Sequence, residues 1–261
     1  MAGTGITIHY IIYIMHPSHT ASHVLQARNL SLTRHGRVLL AGADITIPIP
    51  PSQTNKARGI IGLVGANGSG KTTLISVLAG LTQADRGEVL LAGKPPTPRQ
   101  ISVMLQKPVI MRRSVAANFA YVLVAMGVPR QQQQEATQAM LAKLKLTHLA
   151  QQTAHTLSAG EAQRMALGRC LLGNPLVLLC DEATSNCDPA SMHLIEEIVR
   201  AEAQQGLAVV WVSHNLAQIR RLADTVLFME RGRLSPPQAT DAFFTNPTSD
   251  AARNFIAQER I

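Results

Sequence analysis

The chain has 261 residues, with 24 Lys plus Arg against 16 Asp plus Glu for a net charge of +8, and only 3% aromatic residues. That length buries one substantial core with a small subdomain and leaves no room for two large α/β units, while disulfides or structural metals are not needed to hold it. Dispersed basic residues and scarce aromatics exclude a base-stacking platform for single strands, so no nucleic-acid partner is expected, and Cys170, Cys180 and Cys187, lacking any C-x-x-C pair, read as reduced packing residues.

Residues 1–22 are expected to be a poorly ordered extension, consistent with an upstream start codon. Ile6 to Met15 is apolar but, at about ten residues, too short to span a bilayer, and it lacks the basic flank of a secretory signal. His9, His16, His19, His23 and His35 are irregularly spaced, with no Cys or carboxylate nearby, and read as solvated rather than metal-binding. From residue 23 the rest forms one domain.

Val24 to Leu32 and Gly36 to Ile47 alternate apolar and polar residues and predict an antiparallel hairpin turned at Thr33-Arg34-His35-Gly36. Pro48 to Arg58 has no apolar period and reads as a surface loop, because proline cannot extend a central strand. The apolar run Gly59 to Val64 predicts a buried strand. It feeds Gly65-Ala66-Asn67-Gly68-Ser69-Gly70-Lys71-Thr72, and a helix follows over Thr72 to Leu81 with Leu74, Val77, Leu78 and Leu81 on one face. Short strands are expected at Glu88 to Leu91 and at Ile101 to Leu105, the second ending at Gln106, with a Pro-rich loop between them. Ser114 to Leu149 is helical in texture, broken at Gly127-Val128-Pro129, and Gln131 to Gln134 suits the exposed start of its second helix. Leu176 to Cys180 and Ala208 to Val212 are continuous apolar runs of the parallel, doubly covered kind, separated by a helix over Pro189 to Gln205. The order predicts an α/β fold: a P-loop (RecA-like) core, an N-terminal antiparallel β subdomain, and a helical insertion over about residues 107–170.

The segment Gly65 to Thr72 is a complete G-x-x-x-x-G-K-[ST] phosphate loop between a strand and a helix. Its backbone N–H groups and the helix N-terminus are suited to phosphate oxygens. Lys71 can reach the β and γ phosphates, and Thr72 can place its hydroxyl on Mg²⁺; Thr73 completes the nucleotide-contacting set. About 110 residues later a buried strand delivers Asp181 and Glu182 to the mouth of the sheet. Asp181 is the candidate second Mg²⁺ ligand, and Glu182 the candidate general base for water.

Just upstream of those acids stands Leu157-Ser158-Ala159-Gly160-Glu161, followed by Ala-Gln-Arg-Met-Ala-Leu-Gly-Arg169. This resembles the signature segment, usually Leu-Ser-Gly-Gly-Gln, of ATP-binding-cassette ATPases. With Gln106 at the Q-loop position, Ser185 to Asp188 at the D-loop and His214 at the switch position, six elements occur in that family's order. The resemblance covers nearly the whole chain from about residue 24. It implies that Ser158, capping a helix N-terminus, forms with Ala159, Gly160 and Glu161 a second anion site. That site would face the γ phosphate held by another copy, so that ATP closes a head-to-tail dimer. The resemblance also implies that Gln106 contacts Mg²⁺ and water and that His214 touches the γ phosphate.

The chain departs from the pattern in places. Arg34 or His35 stands where an aromatic residue usually stacks on adenine. Ala159 replaces the first signature glycine, Glu161 replaces Gln, Ala183 replaces the proline after the acidic pair, and Asn186-Cys187 stands where Ala-Leu or Asn-Leu is usual.

The function implied is ATP hydrolysis, with Mg²⁺, by a peripheral subunit on the cytoplasmic face of the inner membrane, working with membrane-spanning permease subunits and indirectly with a substrate-binding protein. The segments Gln106 to Asn118, Leu157 to Arg164 and Ser213 to Ala223, and the ending around Phe243-Phe244-Thr-Asn-Pro247, resemble the ATPases of tungstate importers. Phosphate, molybdate or amino-acid import stays open as cargo. A soluble cassette ATPase acting on ribosomes or nucleic acid is the rival of another class.

Overall fold

The computed structural model describes residues 23–50 and 59–259. Residues 1–22, and most of the loop expected at 48–58, lie outside that set. A long hairpin, β1 (His23–Arg34) and β2 (Arg37–Ile49), pairs antiparallel, and β4 (Arg86–Leu91) adds to β1 to give a three-stranded sheet ordered β2-β1-β4. The second sheet runs β10-β8-β3-β7-β6-β5, built on β3 (Ile60–Val64), β5 (Ile101–Met104), β6 (Val177–Asp181), β7 (Ala208–Val212), β8 (Thr225–Glu230) and β10 (Gln238–Ala239), with β9 (Arg233–Leu234) hairpinned onto β8. The strands from β8 to β5 are parallel.

Alternation explains why the central strands are apolar throughout. Ile61 and Leu63 of β3, Leu179 of β6, and Val210 and Val212 of β7 face one core, shared with Leu25, Leu32, Ile45 and Ile47 of the antiparallel sheet and with Leu74, Ile75 and Leu78 of α1 (Lys71–Leu78). Ile60, Val64, Leu178, Cys180, Val209 and Trp211 point the other way, into a core built with the helices. Those helices are α2 (Val115–Ala125), α3 (Arg130–Lys143), α4 (Ala159–Leu172), α5 (Pro189–Gln204), α6 (Leu216–Leu222), α7 (Thr240–Thr245) and α8 (Asp250–Gln258). Each fully buried Val or Leu is stabilising by about 1.5–3 kcal/mol, so both faces of the sheet anchor its edge. Gly62 lets α6 pack directly on β3: an added Cβ would lie 2.8 Å from Ile219 Cγ2 and force that side chain to shift.

The architecture is the expected α/β one, with three local corrections. Pro48 lies inside β2, opposite Val24, rather than in the loop; β2 is an edge strand, where proline's missing N–H is harmless. Helix α1 ends at Leu78, with Gly80 at φ +70°, so Leu81 leaves the apolar face and is 66% exposed. Strand β8, which flanks β3 opposite β7, was not among the expected strands, although Val226 to Met229 carries the same apolar-run signal.

Candidate functional site

Register brings the candidate residues to one edge. Val212 of β7 is flanked in register by Leu63 of β3 on one side and Asp181 of β6 on the other, and Met104 of β5 pairs with Cys180. The phosphate loop, Gln106, Asp181-Glu182 and His214 therefore all leave the carboxyl ends of their strands together, where open α/β sheets hold ligands.

The phosphate loop wraps its own lysine. Lys71 is 6% exposed, and its Nζ donates to the carbonyls of Gly65 (2.7 Å) and Ala66 (3.0 Å). Burial lowers its pKa, opposed by the charges of Glu182 and Asp181. Gly65 and Gly70 have φ of +147° and +112°, and a Cβ on them would meet the carbonyl oxygens of Met229 at 2.1 Å and Leu39 at 2.5 Å. Only glycine fits either position. Thr72 Oγ1 donates to Asp181 Oδ1 at 3.3 Å. Burial raises the pKa of Asp181, against the Thr72 hydrogen bond and the Lys71 charge. A hydroxyl beside a buried carboxylate is an all-oxygen donor set that suits a hard cation such as Mg²⁺.

Glu182 sits at φ +49°, left-handed for a residue with a Cβ, and this turns its side chain out of the strand direction. Its Oε1 lies 2.5 Å from His214 Nε2, and its Oε2 accepts from Gln106 Nε2 at 3.2 Å. Gln106 Nε2 also reaches Ser185 Oγ at 3.3 Å, so its amide N–H groups are spent on Glu182 and the following loop.

The signature segment lies apart from this edge, at the start of α4. Ser158 is the N-cap, in a capping box with Glu161. Ser158 N and Oγ each donate to Glu161 Oε2 at 2.8 Å, and these bonds hold the Glu161 carboxyl below its usual pKa. The Ser158 hydroxyl is thus occupied by its own helix. Gly160 is wedged against Ser191 and Asp188, whereas Ala159 is accommodated, so the second glycine of the segment is the constrained one.

Of the two residues expected at the adenine position, Arg34 is engaged elsewhere. Its Nη1 donates to Asp85 Oδ1 at 2.8 Å, and its Nη2 to the Gln83 carbonyl at 3.2 Å. His35 is exposed at the hairpin turn, with φ +50°. Arg37, not singled out in the sequence, reaches the phosphate loop, with Nη2 3.5 Å from the Gly68 carbonyl. A buried network was missed too. Gln218 bridges Thr184 (2.9 Å), Glu196 (2.7 Å) and Trp211 Nε1 (3.2 Å), binding the segment after Glu182 to the helix after His214. Scattered polar residues at helical spacing carry no sequence signal for such a network. The cysteines pack as expected: burial pushes the Cys170 thiol up to about 12, and Cys180 is fully buried.

The family model described as ABC transporter matches residues 50–185. The tungstate uptake system ATP-binding protein TupC of Peptoclostridium acidaminophilum is 35% identical over 196 residues, covering 74% of this chain and 90% of that protein. The chain belongs to the ABC transporter family. The methionine import ATP-binding protein MetN of Corynebacterium jeikeium (strain K411) is 33% identical over 226 residues, but the cassette spans only 60% of that relative's length. In fold it resembles cbiO1 of Clostridium perfringens, part of the ABC transporter complex cbiONQ, with a TM-score of 0.74 at 22% identity over 87% of this chain and 92% of that one. A second solved structure, titled as an ATP binding subunit of ABC transporter, gives a TM-score of 0.76 at 18% identity over 91% of this chain and all of the other. Among the described residues no helix is long and apolar enough to cross a membrane.

Proposed function

We propose that the chain is the ATP-binding and ATP-hydrolysing subunit of an importer. The observation that carries this reading is the convergence, on one sheet edge, of the phosphate loop with Lys71, the Thr72–Asp181 pair, and Glu182 between His214 and Gln106. Lys71 would neutralise charge on the β and γ phosphates, and the loop amides from Gly65 to Thr73 would orient them. Thr72, Asp181 and Gln106 would hold Mg²⁺, which when bound draws charge from the β and γ oxygens. Glu182 would accept the proton of the attacking water, and His214, within hydrogen-bond reach of its carboxylate, would fix its orientation. Ser158 to Glu161 would cap the γ phosphate held by a second copy, with the Ser158 hydroxyl turning from Glu161 to the phosphate. Each dimer would then contain two composite sites, docked peripherally on permease subunits that receive cargo from a substrate-binding protein.

For the cargo we propose an oxyanion, tungstate. The support is that the cassette matches the tungstate relative over 90% of that protein, against 60% for the methionine relative from Corynebacterium jeikeium. Methionine import is the second reading, favoured by the number of methionine import proteins among the relatives, including that of Caulobacter vibrioides (strain ATCC 19089 / CIP 103742 / CB 15) at 31% identity. The test is to copurify the chain with its membrane subunits, add the cognate binding protein loaded with tungstate or L-methionine, and measure ATPase stimulation. Tungstate-dependent stimulation supports the first reading, methionine-dependent stimulation the second, and no copurifying membrane protein contradicts both.

A further inference from the structure

We propose that Gln163 is a positioning residue that ties the signature helix to Gln106 and, through Gln106, to the carboxylate of Glu182. Gln163 lies on α4, one and a half turns beyond its Ser158 cap, and is 2% exposed. Its Nε2 donates to two successive carbonyls, Leu105 at 3.0 Å and Gln106 at 2.7 Å, just where the backbone leaves β5. One amide thus fixes the peptide from which the Gln106 side chain projects, and that side chain donates to Glu182 Oε2 at 3.2 Å.

The same helix holds this segment at two further points. Cys170 Sγ contacts the Val103 carbonyl at 3.5 Å, and Arg169 Nη1 donates to the Val109 carbonyl at 2.5 Å. Residues 103–109 are therefore fastened to α4 along their length, and a displacement of α4 carries Gln106 with it. Because α4 begins at Ser158, anion engagement at that cap is coupled mechanically to the hydrogen bond on the candidate base; this inference rests on the composite-site reading given above. Simple adhesion between helix and sheet edge is the competing explanation. It accounts poorly for Gln163 Oε1, which is buried without a hydrogen-bond partner among the described residues. An apolar side chain would spare that acceptor but take the donor from the Leu105 and Gln106 carbonyls, so what separates this amide from plain adhesion is the pair of carbonyls it fixes.

The experiment is a double-mutant cycle on ATP hydrolysis with Gln163→Met, which keeps length and volume but removes the donor, Gln106→Ala, and the pair. Gln163→Met is expected to lower kcat about tenfold while KM changes less than about threefold, the pattern of a misplaced catalytic group. The double variant should be no slower than Gln106→Ala alone, because the first residue acts through the second. Multiplying effects, or a Gln163→Met kcat within about twofold of wild type, overturn the proposal. Should Gln163→Met fail to fold, Gln163→Asn, one methylene shorter with its amide kept, is expected to give a smaller loss of kcat with the same non-additivity, and additive behaviour there also overturns it. Failure of the underlying reading looks different: wild-type protein without ATP hydrolysis, or Glu182→Gln with undiminished turnover, removes the site itself, whereas additive effects in an active, Glu182-dependent enzyme remove only the role of Gln163.

Discussion

Replacing Gly160 by Ala probes the packing beneath the signature cap. The added Cβ would lie 2.4 Å from Ser191 Oγ, 2.5 Å from Asp188 Oδ2 and 2.7 Å from Ser191 Cβ. Each is about 1 Å inside ordinary van der Waals contact, and overpacking of this kind costs about 1–3 kcal/mol. Asp188 is also the N-cap of α5, accepting from Ser191 N at 2.9 Å, so a forced shift weakens a cap contributing about 1 kcal/mol. Ala is the better helix former by up to about 1 kcal/mol, which offsets part of that. The net loss of about 1–3 kcal/mol corresponds, at about 2–4 °C per kcal/mol for a chain of this size, to a Tm lower by roughly 2–12 °C. Thermal unfolding of Gly160→Ala and of Ala159→Gly, followed by circular dichroism, is the assay. Ala159→Gly should move Tm by less than about 3 °C, since it only removes a methyl at an accommodated position. Adding Ser191→Gly to Gly160→Ala should recover part of the loss. A Gly160→Ala Tm within about 1 °C of wild type would refute the packing argument.

Lys71→Met should abolish the thermal shift given by Mg-ATP: at a hundredfold excess over Kd a ligand stabilises by about 2.7 kcal/mol, or roughly 5–10 °C here, and the variant should show less than about 1 °C. The carboxyl of Asp85 is held below its ordinary value by Arg34 and the Thr33 amide. A depressed carboxylate contributes stability that is fully present above its unfolded pKa, near 3.8, and is lost as pH falls through the folded value. Asp85→Asn should therefore shrink the stability difference from wild type in acid while leaving it largest near neutrality, as measured by urea unfolding across pH. Glu161→Gln keeps a capping box but removes the carboxylate that holds the Ser158 hydroxyl. It should tighten ATP-dependent dimerisation by a few-fold, read by light scattering, because the hydroxyl is released more readily to phosphate.

Much of this was legible in the residues. The phosphate loop declares itself because its glycines are forced: carbonyls of Met229 and Leu39 occupy the space where a Cβ at Gly65 or Gly70 would sit. The strands leading to Asp181-Glu182 and to His214 declare themselves as apolar runs because both their faces are covered. What was not legible depends on distant pairing. Arg34 and His35 stand equally at the adenine position in the sequence, because nothing local reveals that Asp85, far along the chain, claims the Arg34 guanidinium. Leu81 fitted the helical face until Gly80 ended the helix before it. Pro48 looked like loop because an edge strand, which tolerates proline, cannot be told from a central one before the sheet order is known. Gln163, Gln218 and Thr184 are ordinary polar residues in sequence, and only folding shows them buried with the carbonyls and carboxylate they serve.

Under the proposed function Glu182 is the base of a composite site closed by a second copy. The most direct measurement is light scattering on Glu182→Gln with and without Mg-ATP, alongside ATP turnover. Glu182→Gln is expected to form a stable dimer with ATP and to stay monomeric without it, with turnover lower than wild type by about two orders of magnitude or more. A Glu182→Gln protein that stays monomeric in saturating ATP, or that hydrolyses ATP at the wild-type rate, would contradict the proposal.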